Sequence, residues 1–178
     1  MDAMSILHRC AASVATLVLA VSPAFAAQSA GTPPEPLASA DLITLADATR
    51  MAHAALAECT KRGQPASVLV VDATGLLRAA FVDDNGKAIG VDHNNRKVAA
   101  VLAFKVSTQA LQARVQSDKP FADKYSKDER YFLMGGGLPI YRNGTFVAAI
   151  SAGGAGGVNN EPCAIAGVKA ISWASYEK

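Results

Sequence analysis

Short apolar segments separated by tight-turn residues run through this chain and limit the folds open to it. Gly75 ends a short link between the first two segments, and Asn143-Gly144, a pair that favours a two-residue hairpin, joins the last two. Hairpins place consecutive strands antiparallel, so the pattern predicts a mainly antiparallel sheet. The segments predicted as strands are 67–72, 76–82, 131–134, 138–141 and 145–152.

Amphipathic segments with polar capping residues lie among these strands and predict helices. The first helix begins after Thr44, which forms a capping box with Asp47, and it ends at Gly63. Other helices are predicted over about 92–105, over about 108–115 with Ser107 or Thr108 as cap, and after a cap at Asn159 or Asn160. We expect the charged stretch 117–130 to be a solvated loop. The fold class is therefore α+β, with a mainly antiparallel five-stranded sheet flanked by helices.

The first 26 residues predict an export signal. They contain a weakly basic start, an apolar stretch over 10–21 and Ala24-Phe25-Ala26, a small-x-small cleavage pattern. This segment accounts for part of the hydrophobic content of 51%. The apolar stretch is too short to span a membrane, and no later segment is long enough. We expect a signal peptide over 1–26, a flexible tail over 27–43 and one domain over 44–178, in a periplasmic or secreted protein.

Charge and cysteine content narrow the possible partners. The 17 basic and 15 acidic residues give a net charge of +2, and the basic residues are scattered without interleaved aromatic residues. This pattern excludes a nucleic-acid binder, and we expect no membrane partner either. Cys59 and Cys163 remain after the predicted cleavage, in a compartment where disulfides persist. The sequence leaves open whether they form a disulfide or stay as two free thiols.

The common catalytic signatures are absent from the sequence. It has no phosphate-binding P-loop, no dinucleotide-binding glycine motif, no C-x-x-C, no H-E-x-x-H and no G-x-S-x-G. His53 flanks the apolar stripe of the first helix, so it is either a surface histidine or a ligand at a subunit interface. His93 begins a helix, where a role near the cap and a role as a metal ligand are both open.

Glycine is concentrated in one part of the chain. Eight of the 14 glycines lie between Gly135 and Gly157. One group, at 135–137, stands between predicted strands, where glycine allows another backbone or a ligand to approach closely. The other, at 153–157, precedes a predicted helix whose free N–H groups would hold a carboxylate or phosphate. Flexible turns are the alternative explanation for both groups.

Several motifs in fixed order resemble the GlcG/HbpS family, a small domain also found fused to PduO-type corrinoid adenosyltransferases. The resemblance spans about residues 42–175, and its specificity comes from the order and spacing of the motifs together. The residues that carry it are Val70-Val71-Asp72 with Gly75, Phe104-Lys105-Val106-Ser107-Thr108, Gly136-Gly137-Leu138-Pro139-Ile140, Asn143-Gly144, Ala149-Ile150-Ser151-Ala152-Gly153 and the segment 161–167.

The resemblance implies an α/β/α sandwich that assembles into dimers or octamers and binds haem. It also implies an iron ligand three residues before the Met134-Gly135-Gly136-Gly137 segment, a position held here by Tyr131. Tyrosine is a competent axial ligand of ferric haem, although at this position it is equally explained as an amphipathic residue at a strand start. His53 is the second candidate iron ligand. Gly136, Gly137, Gly153 and Gly154 are the candidates to accommodate the macrocycle and its propionates.

The sequence departs from the family pattern at two places. The secreted relatives carry an iron-binding E-x-x-E pair on a helix, and the corresponding positions here are Asp92 and Asn95. The acid that usually precedes the final helix is Asn160 in this chain. We therefore do not expect surface iron storage by the acidic pair or acid–base chemistry at position 160.

The leading functional hypothesis is an exported, oligomeric haem-binding or tetrapyrrole-binding protein that acts in haem or iron sensing or protection. A binding protein is favoured over an enzyme. The alternative is a small-molecule enzyme or an accessory protein that acts on an organic acid or aromatic metabolite. In that alternative, Asp72, Arg96 or Lys97 would orient an anionic substrate.

Overall fold

The computed structural model describes residues 42–154 and 160–177. The predicted signal peptide and most of the predicted tail, together with residues 155–159 of the second glycine-rich segment, lie outside the described residues. Asn159, one of the two predicted caps of the final helix, also lies outside them.

The described chain forms five helices and one five-stranded sheet. In chain order the elements are α1 (Leu45–Lys61), β1 (Ser67–Asp72), β2 (Leu77–Val82), α2 (Ala88–Phe104), α3 (Thr108–Ser117), α4 (Lys119–Tyr125), β3 (Gly137–Arg142), β4 (Thr145–Gly153), α5 (Glu161–Lys169) and β5 (Ala174–Ser175). The strand order is β2-β1-β4-β3-β5, and every neighbouring pair is antiparallel. The predicted α+β class is confirmed.

Helices α1 and α5 cover one face of the sheet. The hydroxyl of Thr44 accepts a hydrogen bond from the backbone N–H of Asp47 at 3.1 Å, so the predicted cap of α1 is confirmed. The buried side of α1, including Met51, packs with α5 and with one face of the strands in the larger of the apolar cores. A disulfide joins Cys59 of α1 to Cys163 of α5, with a Cα–Cα distance of 5.4 Å. This settles the cysteine question in favour of a bond.

Helix α2 covers the opposite face of the sheet. Its Val98 and Val101 pack against Val71 of β1 and Ala149 of β4, so the two central strands are buried on both faces. Because both faces of these strands are buried, their sequences are continuous apolar runs and do not alternate with polar residues. Helix α2 begins at Ala88, several residues before the predicted start, and its inner side carries buried polar residues as well as apolar ones.

The segment 131–134, predicted as a strand, is not one. Tyr131 packs instead against Phe104, at 5.3 Å between ring centroids, in a third apolar cluster with Leu111 and Phe121. The fifth strand of the sheet is β5, whose two residues pair with the end of β3. The aromatic residues of the segment resemble those of a strand, but Tyr131 packs on Phe104 at the end of α2 and Phe132 stacks on His93 of the same helix.

The charged stretch 117–130 is also not the loop that was predicted, because it contains α4. Asp118 caps this helix by accepting a hydrogen bond from the backbone N–H of Phe121 at 3.1 Å, and Pro120 lies in its first turn. Phe121 is the buried residue that holds the helix against the third cluster. A single apolar anchor in a charged segment is too weak a periodic signal to predict a helix.

The last helix is shorter than predicted, since α5 ends at Lys169 and Trp173 lies beyond it. Asn160 is the N-cap residue by position, but its side chain makes no capping hydrogen bond. Within the described residues, no helix is long and apolar enough to cross a membrane.

Candidate functional site

Two clefts lie along α2 and share Phe132 and Met134. The first cleft has a volume of about 450 Å³, and its wall includes Gly90, His93, Lys97, Phe132, Met134 and Asn160. The second cleft has a volume of about 380 Å³, and its wall includes Arg96, Gln112, Tyr131, Phe132, Leu133 and Met134. Both volumes fall in the range of small-molecule sites. The segment 131–134 therefore separates two candidate binding sites.

Lys97 is the central charged group of the first cleft. Its side chain is 1% exposed, and its ammonium group donates a hydrogen bond of 2.8 Å to the backbone carbonyl of Ala152. The same nitrogen lies 5.8 Å from the centroid of the Phe132 ring. Burial lowers the pKa of Lys97 to about 8, because removal from water disfavours the charged form. The amine remains mostly protonated at neutral pH.

Glycines bring the backbone close to this lysine. Gly136 has a φ of +118°, and a Cβ there would lie 2.9 Å from the Lys97 nitrogen and 2.5 Å from the carbonyl oxygen of Ala152. A Cβ on Gly153 would lie 2.6 Å from Oδ1 of Asn94. Close approach thus explains why these two positions lack side chains.

Two buried asparagines border the same region. Asn94 donates hydrogen bonds of 2.7 Å and 2.9 Å to the carbonyl and the hydroxyl of Ser67, while its Oδ1 has no hydrogen-bond partner in the part of the chain that the structure describes. Asn160 is 2% exposed and lines the first cleft, and its buried Oδ1 also has no partner among the described residues. Buried polar atoms are nearly always paired, so an unpaired acceptor in a cleft points to a missing donor.

A flat aromatic surface forms another part of the first cleft. The rings of His93 and Phe132 stack with centroids 4.0 Å apart and planes inclined by 7°. Met134 is 38% exposed beside them. Because α2 begins at Ala88, His93 lies beyond the helix cap, and its imidazole forms part of the cleft wall.

The second cleft combines Tyr131 with a partly buried cation. The guanidinium of Arg96 donates to the backbone carbonyl of Tyr131 at 3.4 Å and lies 3.6 Å from the carboxylate of Asp92. Its Nε is buried, and no described residue offers it a hydrogen-bond acceptor. Val115 and Leu133 add apolar surface to the same cleft. The second cleft is therefore amphipathic, with a phenol and an unsatisfied guanidinium donor.

The structure brings together only some of the predicted site residues. Tyr131 lines the second cleft, while Gly153 and Gly154 line the first, with Gly136 next to Lys97. Gly137 serves the fold, because its N–H donates to the hydroxyl of Thr108 at 2.8 Å and no space remains for a side chain.

His53 is separated from the other candidates. It is an exposed residue of α1, on the opposite face of the sheet, and its ring lies 6.1 Å from that of Phe81. His53 and Tyr131 therefore do not face one cleft within a single chain.

Asp72 has a structural role in the β1–β2 hairpin. Its buried carboxylate accepts hydrogen bonds from the backbone N–H groups of Thr74 and Leu76 and pairs with Arg78 at 2.8 Å. Burial acts to raise the pKa of Asp72, but these hydrogen bonds outweigh it and hold the pKa below its usual value. Asp72 was one of three residues proposed to orient an anion, but its carboxylate is occupied by these hydrogen bonds and by the ion pair with Arg78.

Phe132 and Asn160 were not identified as site residues from the sequence. Phe132 was assigned to a strand and Asn160 to a helix cap, and both assignments used only local patterns. The unpaired Oδ1 of Asn160 becomes visible only when the residues around it are known. Among the described residues, no group of three His, Cys, Asp or Glu side chains is arranged to hold a metal ion.

Solved structures of similar fold cover most of this chain. The crystal structure of HbpS is 26% identical, with a TM-score of 0.67, and the match covers 80% of this chain and 99% of that one. A double mutant of Streptomyces reticuli HbpS is 28% identical, with a TM-score of 0.67 and coverage of 83% and 98%. A complex of PduOC with heme is 17% identical, with a TM-score of 0.69 and coverage of 77% and 99%, and at that identity it supports the fold alone.

Sequence comparison gives the family. None of the curated proteins matches this chain significantly. The family model described as haem degrading protein HbpS-like matches residues 43–169, which include all but β5 of the described elements. The match covers more than half of the chain and agrees with the resemblance found from its motifs. The chain belongs to the HbpS-like family.

Proposed function

We propose that this protein binds haem in the second cleft, with Tyr131 as the axial ligand of the iron. The observation that carries the proposal is the match to the haem-degrading HbpS-like family over residues 43–169. The heme complex of PduOC shows that another protein of this fold holds heme. When bound, haem supplies an iron centre whose reactivity depends on its axial ligand and on the polarity of the pocket.

The residues of the second cleft suit each part of a haem molecule. The Tyr131 phenol is an oxygen ligand for ferric iron. Val115, Leu133 and Met134 offer apolar contacts to the macrocycle. The unpaired Nε of Arg96 offers a charged hydrogen bond to a propionate. The cleft is small for an entire macrocycle, so part of the ligand would extend beyond it.

We propose that a second protomer covers the remaining part of the macrocycle. The edge strand β2 and the turn before it expose Leu76, Leu77 and Val82, apolar residues that suit a subunit contact. His53 would reach a haem only from a neighbouring protomer, because it lies on the other face of the sheet. A homo-oligomer, from dimer to octamer, is thus part of the proposal, and light scattering after size-exclusion chromatography measures it.

Export completes the proposed function. The signal-like segment 1–26 and the cysteine pair of the domain support a periplasmic or secreted location, because disulfides persist in such compartments. There the protein would act in haem or iron sensing or in protection from free haem.

The test is a titration of the purified chain with hemin, followed by the Soret band. We expect a saturable shift at a fixed stoichiometry. Tyr131→Phe removes the phenolic oxygen but keeps the ring contact with Phe104, so it should lower affinity at least tenfold and change the spectrum of any residual complex. His53→Ala tests the ligand proposed from a neighbouring protomer.

Tyr125→Phe is the matched control for Tyr131→Phe. Tyr125 packs in the same aromatic cluster, 6.2 Å from the Tyr131 ring, but does not line the second cleft. This variant should bind hemin like the wild type. Absence of a saturable shift in the wild type would refute haem binding, and equal spectra for wild type and both ligand variants would refute the choice of ligands.

A further inference from the structure

The first cleft holds a cation without a counter-ion. Within the described residues, no carboxylate lies within ion-pair distance of Lys97, and no Asp or Glu lines the first cleft. A buried charge is costly unless it is paired, so this lysine is suited to an anion that arrives from solution.

The hydrogen-bonding capacity of Lys97 also indicates that it can bind an anion. An ammonium group has three donors, and one of them is used by the carbonyl of Ala152. The nitrogen lies between this carbonyl, the backbone at Gly136 and the Phe132 ring, in the wall of the first cleft. Remaining donors can therefore meet an oxygen of a ligand in the cleft.

Asn160 requires a hydrogen-bond donor from the ligand, which a simple anion does not have. Asn160 lines the same cleft, and its buried Oδ1 has no hydrogen-bond donor among the described residues. A carboxylate oxygen would repel this acceptor, whereas a hydroxyl group would satisfy it. The pair of Lys97 and Asn160 calls for a ligand that has an anionic end and a hydrogen-bond donor close to it.

We propose that the first cleft binds a small carboxylic acid that carries a hydroxyl group beside its carboxylate. Lys97 pairs with the carboxylate, Oδ1 of Asn160 accepts from the hydroxyl, and the stacked Phe132 and His93 rings face the carbon skeleton. Gly153 forms part of the cleft wall, and Gly136 lets the backbone pass close to the Lys97 nitrogen. This site is distinct from the proposed haem site, and among the described lining residues the two have Phe132 and Met134 in common.

A haem propionate is the other source of a carboxylate near Lys97. It has no hydroxyl group to offer Asn160, so the free acid satisfies the cleft more completely. The two sources predict different behaviour, because a propionate would bind only as part of hemin, whereas a free acid would bind in its absence.

Isothermal titration of the purified chain with lactate tests the proposal. Propionate is the probe without the hydroxyl group, and 1,2-propanediol is the probe without the carboxylate. We expect saturable binding of lactate, at least fivefold weaker binding of propionate and no binding of the diol. Lys97→Met should abolish lactate binding, and Asn160→Ala should remove the preference for lactate over propionate.

Lys105→Met is the matched control, since Lys105 is the exposed C-cap residue of the same helix and lies outside both clefts. It should bind lactate like the wild type. Thermal unfolding of each variant separates loss of the site from loss of the fold, because a folded Lys97→Met protein should no longer be stabilised by lactate.

Three results would overturn the proposal: no lactate binding to the wild type, unchanged binding by folded Lys97→Met, or equal affinities for lactate and propionate in the wild type. A parallel hemin titration keeps the two sites distinct. Weaker hemin binding by Lys97→Met without any lactate binding would assign the lysine to a haem propionate. Failure of hemin binding alone would leave the carboxylic acid site standing.

Discussion

Lys97 shows how one residue links the fold to the proposed chemistry. The sequence identified it as one of three residues that could orient an anion, and the structure places it in a cleft where no described residue gives it a carboxylate partner. The contacts of the Lys97 ammonium group are with Ala152 and Phe132, which are distant from it in sequence. The local sequence pattern could therefore indicate Lys97 as an anion-binding residue, but it could not show that Lys97 is buried.

The pKa of Lys97 gives a prediction for stability against pH. Its folded pKa of about 8 lies below its ordinary value of 10.5, so between these values the unfolded chain holds a proton that the folded chain has lost. The free energy of unfolding of the wild type should therefore rise, relative to Lys97→Met, as pH increases from 8 to 10.5. The expected change is up to about 3 kcal/mol, because one pKa unit corresponds to ~1.4 kcal/mol.

Urea unfolding of both proteins at intervals across this range provides the measurement. The comparison with Lys97→Met cancels the contribution of every group that behaves alike in the two proteins. A stability difference that stays constant with pH would contradict the burial of a charged Lys97.

Gly136 gives a second prediction at the residue scale. Gly136→Ala would place a Cβ 2.5 Å from the Ala152 carbonyl oxygen at a φ of +118°, so both space and backbone conformation oppose it. We expect a loss of roughly 2–4 kcal/mol in the free energy of unfolding. The control is Gly144→Ala, at a φ of +80° with nothing within 4 Å of the added atom, and it should cost only about 1 kcal/mol. Equal losses would show that crowding at Gly136 has no energetic effect.

At the scale of secondary structure, prediction succeeded where short-range signals decide the outcome. The Thr44 cap, the Asn143-Gly144 turn and the apolar runs of β1 and β4 are properties of neighbouring residues, and all were found as predicted. The prediction of a strand at 131–134 was wrong because the position of Tyr131 is set by packing against residues of α2 and α4, which are distant in sequence. That segment separates the two clefts, so the site was harder to predict than the sheet.

From the disulfide between α1 and α5 we predict a contribution to the free energy of unfolding. It closes a loop with a sequence separation of 104 residues, and in the chain-entropy view such a link limits the unfolded chain. Reduction should lower the free energy of unfolding by about 2–4 kcal/mol, as measured by urea unfolding with and without dithiothreitol.

The control for this prediction is the double variant Cys59→Ser with Cys163→Ser. It should resemble the reduced wild type and show no response to dithiothreitol. Equal stability of the oxidised and reduced wild type would show that the bond adds nothing to the packing of α1 on α5.

At the scale of the whole molecule, the sheet separates two different surfaces. One face carries α1, α5, the disulfide and His53, and the other carries α2 with the two clefts. The proposed haem site lies entirely on the α2 side in one chain. Participation of His53 therefore depends on assembly, and a single protomer is expected to supply Tyr131 alone as the iron ligand.

The position of iron in crystals of the hemin-loaded protein tests this account most directly. Anomalous scattering locates the metal without assumptions about the ligand. We predict one iron site per chain, bonded to the phenolic oxygen of Tyr131 and next to Arg96. Iron bound at His93 in the first cleft, or at His53 alone, would contradict the account.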